Sequence, residues 1–129
     1  MNNLLMIAVG GALGAVSRYG VGNIVNSFLQ QKYPLNHFPF ATLAVNFFGS
    51  FFIGILYVLI VEQAAIHQDW RNVLMVGVLG SFTTFSTFSL ETVNLLENGH
   101  IATALGYMIS SLLCCIVGVW IAMTVTRLL

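Results

Sequence analysis

Charged residues are sparse along this chain and separate long apolar runs. Charge-free stretches cover residues 1–17, 19–31, 33–61, 72–90 and 98–126. A helix needs about 20 largely apolar residues to cross a bilayer. The pattern therefore predicts an all-α integral membrane protein, a single domain over residues 1–129. Its four spanning helices are expected near 4–29, 38–61, 73–96 and 101–128. The connections are short and carry the expected breakers. The first holds Lys32, Pro34 and Pro39, the second runs from Glu62 to Arg71, and Glu97-Asn98-Gly99-His100 makes a tight third turn. An even number of spans puts both termini on one side. The first span does not read as a signal peptide, because it lacks a basic leader and stays apolar beyond Arg18.

Composition sharpens this picture. Hydrophobic residues make up 58% of the chain and charged residues 6%, where a soluble domain carries about 25% charged residues. A soluble fold of this size could not hide so much apolar surface, so membrane lipid is the expected surrounding. Zero net charge and the lack of a basic cluster argue against nucleic acid as a partner. Cys114 and Cys115 are adjacent within a span and read as small packing residues.

Orientation is weakly encoded. Arg71 and Arg127 fall on the side of the termini and Lys32 on the other; Arg18 lies within a span. Two readings stay open: a fixed orientation with little bias, or insertion both ways up and pairing with an inverted copy. Four spans make a thin wall around any pathway, which favours an oligomer.

Polar groups inside spans are costly and so become functional candidates. Arg18 reads either as a snorkelling cation or as one that concentrates anions at a pore mouth. Asn46, with Thr42 one turn earlier, reads as interhelical glue or as a pathway lining. In the third span, Ser81, Thr83, Thr84, Ser86, Thr87 and Ser89 interleave with Phe82, Phe85 and Phe88. Hydroxyl and β-branched residues compete with the helix backbone, so a break is expected near 80–84, close to the middle of the span. Freed carbonyls there would suit a small hard cation such as sodium. Edges of the Phe85 and Phe88 rings carry positive potential and would attract a small anion weakly. Ser86, Thr87 and Ser89 offer hydroxyls to replace lost hydration. Glu91 reads as a relay, a gate, a partner for Arg18 or a span end. Tyr107 and Ser111, four residues apart, share a helix face. His37, His67 and His100 have no ligand spacing to a cysteine or carboxylate cluster, and no catalytic constellation is present.

These motifs resemble the small bacterial fluoride channels, the Fluc or CrcB family. Thr83-Thr84-Phe85-Ser86-Thr87-Phe88-Ser89 followed by Glu91 carries most of the resemblance. The segment from Gly10 to Tyr19 is similar to the family's first-helix pattern, and Thr42-Leu43-Ala44-Val45-Asn46 with Gly49 to its second. The resemblance covers essentially the whole chain. It implies an antiparallel, dual-topology homodimer in a bacterial inner membrane, with two pores that pass fluoride out of the cytoplasm and confer fluoride resistance. Phe85, Phe88, Asn46 and Glu91 match the family's pore phenylalanines, pore asparagine and third-helix glutamate. Thr42, Ser86, Thr87, Tyr107 and Ser111 fall at or beside its polar track, and Arg18 near its vestibule. Gly80 and Thr83 match the residues whose carbonyls hold a structural sodium ion at the dimer interface. The chain departs from the pattern at Ala41, Leu79, Ser81 and Cys115.

Rival readings are a proton-coupled fluoride or small-ion transporter, a small multidrug exporter and a non-transporting accessory subunit. Exporters of the second kind need a carboxylate deep in the first helix, where this chain has Arg18 and no acid.

Overall fold

The structure is a computed structural model that describes residues 2–32 and 37–129. Pro34, in the expected first connection, lies outside the described residues. Helix α1 runs over Asn2–Lys32, with Lys32 in its last turn, where a cation complements the helix dipole. Pro39, whose ring fixes φ near the helical value, precedes α2, Phe40–Tyr57. The helix continues in wider π turns over Val58–Glu62. A second π-wound stretch, Arg71–Leu79, leads into the short α3, Gly80–Phe82. Helix α4, Phe85–Glu97, and α5, Ile101–Arg127, complete the fold. Four stretches are long and apolar enough to cross a membrane: Asn3–Leu29, Phe40–Glu62, Arg71–Glu97 and Ile101–Arg127.

Glycine allows the sharp return from α4 to α5. Gly99 adopts φ +79°, a left-handed conformation open to it without a Cβ penalty. The His100 N–H then reaches back to the Leu95 carbonyl at 2.8 Å and closes the helix end.

Packing follows small residues. Helix α1 lies against Arg71–Leu79, and α2 against α5. A Cβ on Gly10 would sit 2.5 Å from the Val73 carbonyl oxygen, and one on Gly77 3.0 Å from the Gly10 Cα. At Gly14 it would collide with the Val78 carbonyl. The two backbones are therefore in direct contact, the arrangement by which helices gain dispersion energy in lipid. On the other side, a Cβ at Gly54 would approach the Val119 carbonyl oxygen to 2.8 Å. Arg127 donates two hydrogen bonds to Glu62, at 2.8 and 2.6 Å, tying the ends of the second and fourth spans. Apolar side chains such as Leu13, Val16, Leu112, Ile116 and Trp120 point outward, which suits a hydrocarbon solvent.

The interior is small. Leu95, Ala104 and the fully buried Tyr107 form a cluster, flanked by Phe38, Leu43 and Phe88. This cluster fixes α4 against α5 and so sets the position of the polar groups on both.

Candidate functional site

The site is organised around two extended residues in the third span. Thr83 (φ −76°, ψ 156°) and Thr84 (φ −148°, ψ 112°) separate α3 from α4. The Thr83 N–H and hydroxyl both still donate to the Leu79 carbonyl, each at 3.0 Å. In a continuous helix the Thr84 N–H would bond the Gly80 carbonyl. Instead it donates to Asn46 Oδ1 at 2.7 Å, and Asn46 Nδ2 donates to the Thr84 carbonyl at 3.0 Å. The Thr87 N–H, in turn, donates to Thr84 Oγ1 at 3.2 Å rather than to the Thr83 carbonyl. Thr84 is thus the N-cap of α4. The Gly80 and Thr83 carbonyls both lose their helical donors to these substitutions.

Gly49 makes the arrangement sterically possible. A Cβ there would collide with the Thr83 Cγ2 methyl, so only glycine lets α2 press on the extended segment. One turn away on the same helix, Asn46 completes the missing backbone pairing.

Two clefts flank the extended segment and share Thr84 as a wall. The first, about 290 Å³, is lined by Asn46, Ser50, Phe85, Phe88, Ser111 and Cys115 among others. The Phe85 and Phe88 rings lie 5.5 Å apart, and Phe88 is 5.1 Å from the Tyr107 ring. Ser111 Oγ is buried and has no hydrogen-bond partner among the described residues. Ser50 of α2 and Cys115, one turn beyond Ser111 on α5, line this same cleft. The second cleft, about 360 Å³, brings Arg18 and Asn26 of α1 to Thr42, Thr87 and Glu91.

Glu91 is held from both sides. Thr42 Oγ1 donates to Oε1 at 2.8 Å and the Tyr107 hydroxyl to Oε2 at 2.7 Å. Among the described residues the arginine–carboxylate ion pair is Glu62–Arg127, so Arg18 and Glu91 share a cleft without forming one.

The residues singled out from the sequence fall into three groups. Asn46, Phe85, Phe88 and Ser111 meet in the first cleft, and Arg18, Thr42, Thr87 and Glu91 in the second. Ser86 and Tyr107 line neither. Ser86 is exposed and lies 3.3 Å from Thr84 Oγ1, while Tyr107 is buried behind Glu91. Thr83 lines the first cleft, with Gly80 on the exposed turn before it. Thr84 was read only as part of the hydroxyl run, with no role of its own, and Ser50 and Asn26 were not singled out. A hydroxyl residue three positions before Thr87 at the start of a helical run is an N-cap signal that points to Thr84. Ser50 and Asn26 carry no such local mark.

Chemically, the two clefts set amide and hydroxyl groups and two aromatic rings within membrane-spanning segments, with Arg18 in the second. Such groups can coordinate a small ion.

Comparison with known proteins places this chain in a family. The family described as "CrcB-like protein, Camphor Resistance (CrcB)" matches residues 5–123. A protein of Saccharophagus degradans named "Fluoride-specific ion channel FluC" is 46% identical over 95% of this chain and 88% of its own length. Proteins of the same name from Magnetococcus marinus and Coxiella burnetii are 42% and 41% identical. Those alignments cover 95% and 97% of this chain, and 96% and 98% of the relatives. This chain is a multi-pass membrane protein and belongs to the CrcB family.

Proposed function

We propose that this chain forms a fluoride-selective channel that lets fluoride run passively out of a bacterial cytoplasm through the inner membrane. The observation that carries the reading is the first cleft. It combines a buried, unpartnered Ser111 hydroxyl with the Asn46 amide and the Phe85 and Phe88 rings. A hydroxyl buried in that way lacks a hydrogen-bond acceptor, and fluoride is a compact acceptor. Donors and positive ring edges replace part of its hydration, each weakly enough that the ion moves on. Selectivity over chloride follows from donors spaced for the smaller ion.

The working unit is an antiparallel, dual-topology homodimer with two pores. Gly80, Ser86 and Thr87 are exposed on the isolated chain. Polar and irregular backbone at membrane depth needs protein cover, which a second copy supplies. The near-balance of Lys32 against Arg71 and Arg127 is consistent with insertion both ways up. In this reading the interruption at Thr83 and Thr84 is a functional break in the third helix.

The Gly80 and Thr83 carbonyls, whose helical donors are engaged elsewhere, suit a sodium ion at the interface of the two copies. Bound there, sodium would be held by the Gly80 and Thr83 carbonyl oxygens and would offset their partial negative charge.

A proton-coupled fluoride transporter is the second reading, favoured by the carboxylate of Glu91 between two hydroxyl donors. Growth separates function from its absence. A bacterial strain stripped of its own fluoride export and expressing this chain should grow in fluoride that arrests the empty strain. Failure of a well-expressed, membrane-inserted protein to protect would overturn the fluoride reading.

A further inference from the structure

We propose that His37 and His100 form an anion-collecting mouth over the Glu91 end of the site, one that strengthens as the medium becomes acid. The inference rests on the channel reading for its consequence but not for its geometry.

The two imidazole rings stack with centroids 4.1 Å apart and planes inclined by 21°. They come from different parts of the chain. His37 leads into α2, and His100 precedes α5. The tight return at Gly99 positions His100 through its N–H bond to the Leu95 carbonyl. The pair borders a cleft of about 500 Å³ that also contains Asn94, Asn98 and Glu91. Pro39 and Leu95 complete the lining.

Among the described residues the titratable groups lining this cleft are three. The approach to α2 contributes His37, the turn before α5 contributes His100, and α4 contributes Glu91. Asn94 and Asn98 are neutral. Glu91 already accepts hydroxyl hydrogens on both oxygens. Among the described residues no lysine or arginine lines the cleft, so positive charge among them at this mouth comes from the imidazoles. Histidine is the side chain that ordinarily changes charge across the neutral range. A single charge about 7 Å from a passing anion raises its local concentration roughly threefold in a water-like medium. Two protonated rings in a stack repel one another, and an anion at their rim relieves that repulsion. Anion capture and protonation therefore promote each other. The Glu91 carboxylate keeps the capture weak, as passage requires.

Single-channel current in planar bilayers is the functional test, because neutral HF carries no current. With low fluoride and equal pH on both sides, the wild-type current should be about two- to fivefold larger near pH 6 than near pH 8. At saturating fluoride the two should converge. The His37→Gln/His100→Gln double variant should conduct with no such pH response. A wild-type current independent of pH, or a double variant that keeps the response, would overturn the proposal.

A second readout does not need conduction. Sodium fluoride added to the purified protein near neutral pH should move the imidazole ¹⁵N resonances of both histidines toward their protonated values, with sodium nitrate as the ionic-strength control. No movement overturns the mouth even if the protein conducts. Movement without fluoride current supports the mouth and counts against the channel reading.

Discussion

Asn46 and Thr84 exchange two hydrogen bonds across 38 residues of sequence, one in each direction, at 3.0 and 2.7 Å. The side-chain amide stands in for a strand neighbour and satisfies a backbone group pair that the third span cannot satisfy itself. Replacing it by leucine leaves a donor and an acceptor unmet at membrane depth. Each buried unmet group costs about 1–3 kcal/mol. Asn46→Leu should therefore lower the thermal stability of the detergent-solubilised protein and abolish fluoride flux. Asn46→Asp, which keeps the acceptor for the Thr84 N–H, should recover part of the stability and none of the flux. Equal stability in wild type and Asn46→Leu would show that the pairing matters little.

Phe85 separates function from folding. Its side chain is 76% exposed on the single chain, so its removal opens no cavity in the subunit. Phe85→Ile should insert, purify and melt like the wild type while losing at least about tenfold in fluoride flux, equivalent to 1.4 kcal/mol at the barrier. Phe88→Ile should lose flux and some stability, since Phe88 packs on the buried cluster around Tyr107. Unchanged flux in both variants would reduce the rings to packing.

Glu91 makes a testable triad with Thr42 and Tyr107. Tyr107→Phe removes one donor and Thr42→Val the other, each at a cost of about 1–3 kcal/mol in stability. Because both donors hold one carboxylate, their effects should not add. A double-mutant cycle read by thermal unfolding should give a coupling of roughly 0.5 kcal/mol or more. Strict additivity would mean that the carboxylate finds other partners.

Close helix contact is the third structural claim. Gly14→Ala drives a Cβ into the Val78 carbonyl and should destabilise the fold by roughly 1–3 kcal/mol through overpacking. Gly20→Ala meets nothing within 4 Å among the described residues and should be neutral or slightly stabilising, by at most about 1 kcal/mol. Melting temperatures of the two variants in one detergent decide the matter.

Much of the architecture was legible because lipid imposes length and apolarity on every span. The long uncharged runs around Leu13, Phe51, Leu79 and Ile116 could be read as spans without knowing what each touches. The candidate residues were legible for the same reason: Asn46, Glu91 and Arg18 stand out where polar groups are expensive. Partnerships between spans were not legible. Nothing local joins Asn46 to Thr84 or Thr42 to Glu91, because pairing depends on helix rotation and crossing. Ser50 and Asn26 were missed because one small hydroxyl or amide is unremarkable until a cleft forms beside it. The stack of His37 on His100 likewise depends on how two connections meet. The π winding of Arg71–Leu79 left no mark in the residue pattern.

The central claim is passive, selective fluoride conduction, and efflux from liposomes tests it most directly. Purified protein would be reconstituted into vesicles loaded with potassium fluoride or potassium chloride, with valinomycin to clamp the voltage and no proton gradient. The account predicts rapid fluoride loss, read by an ion-selective electrode, with little chloride loss from the parallel vesicles. Fluoride retained until a proton gradient is imposed would contradict it in favour of coupled transport. Fluoride retained under both conditions by folded protein would contradict the transport reading altogether.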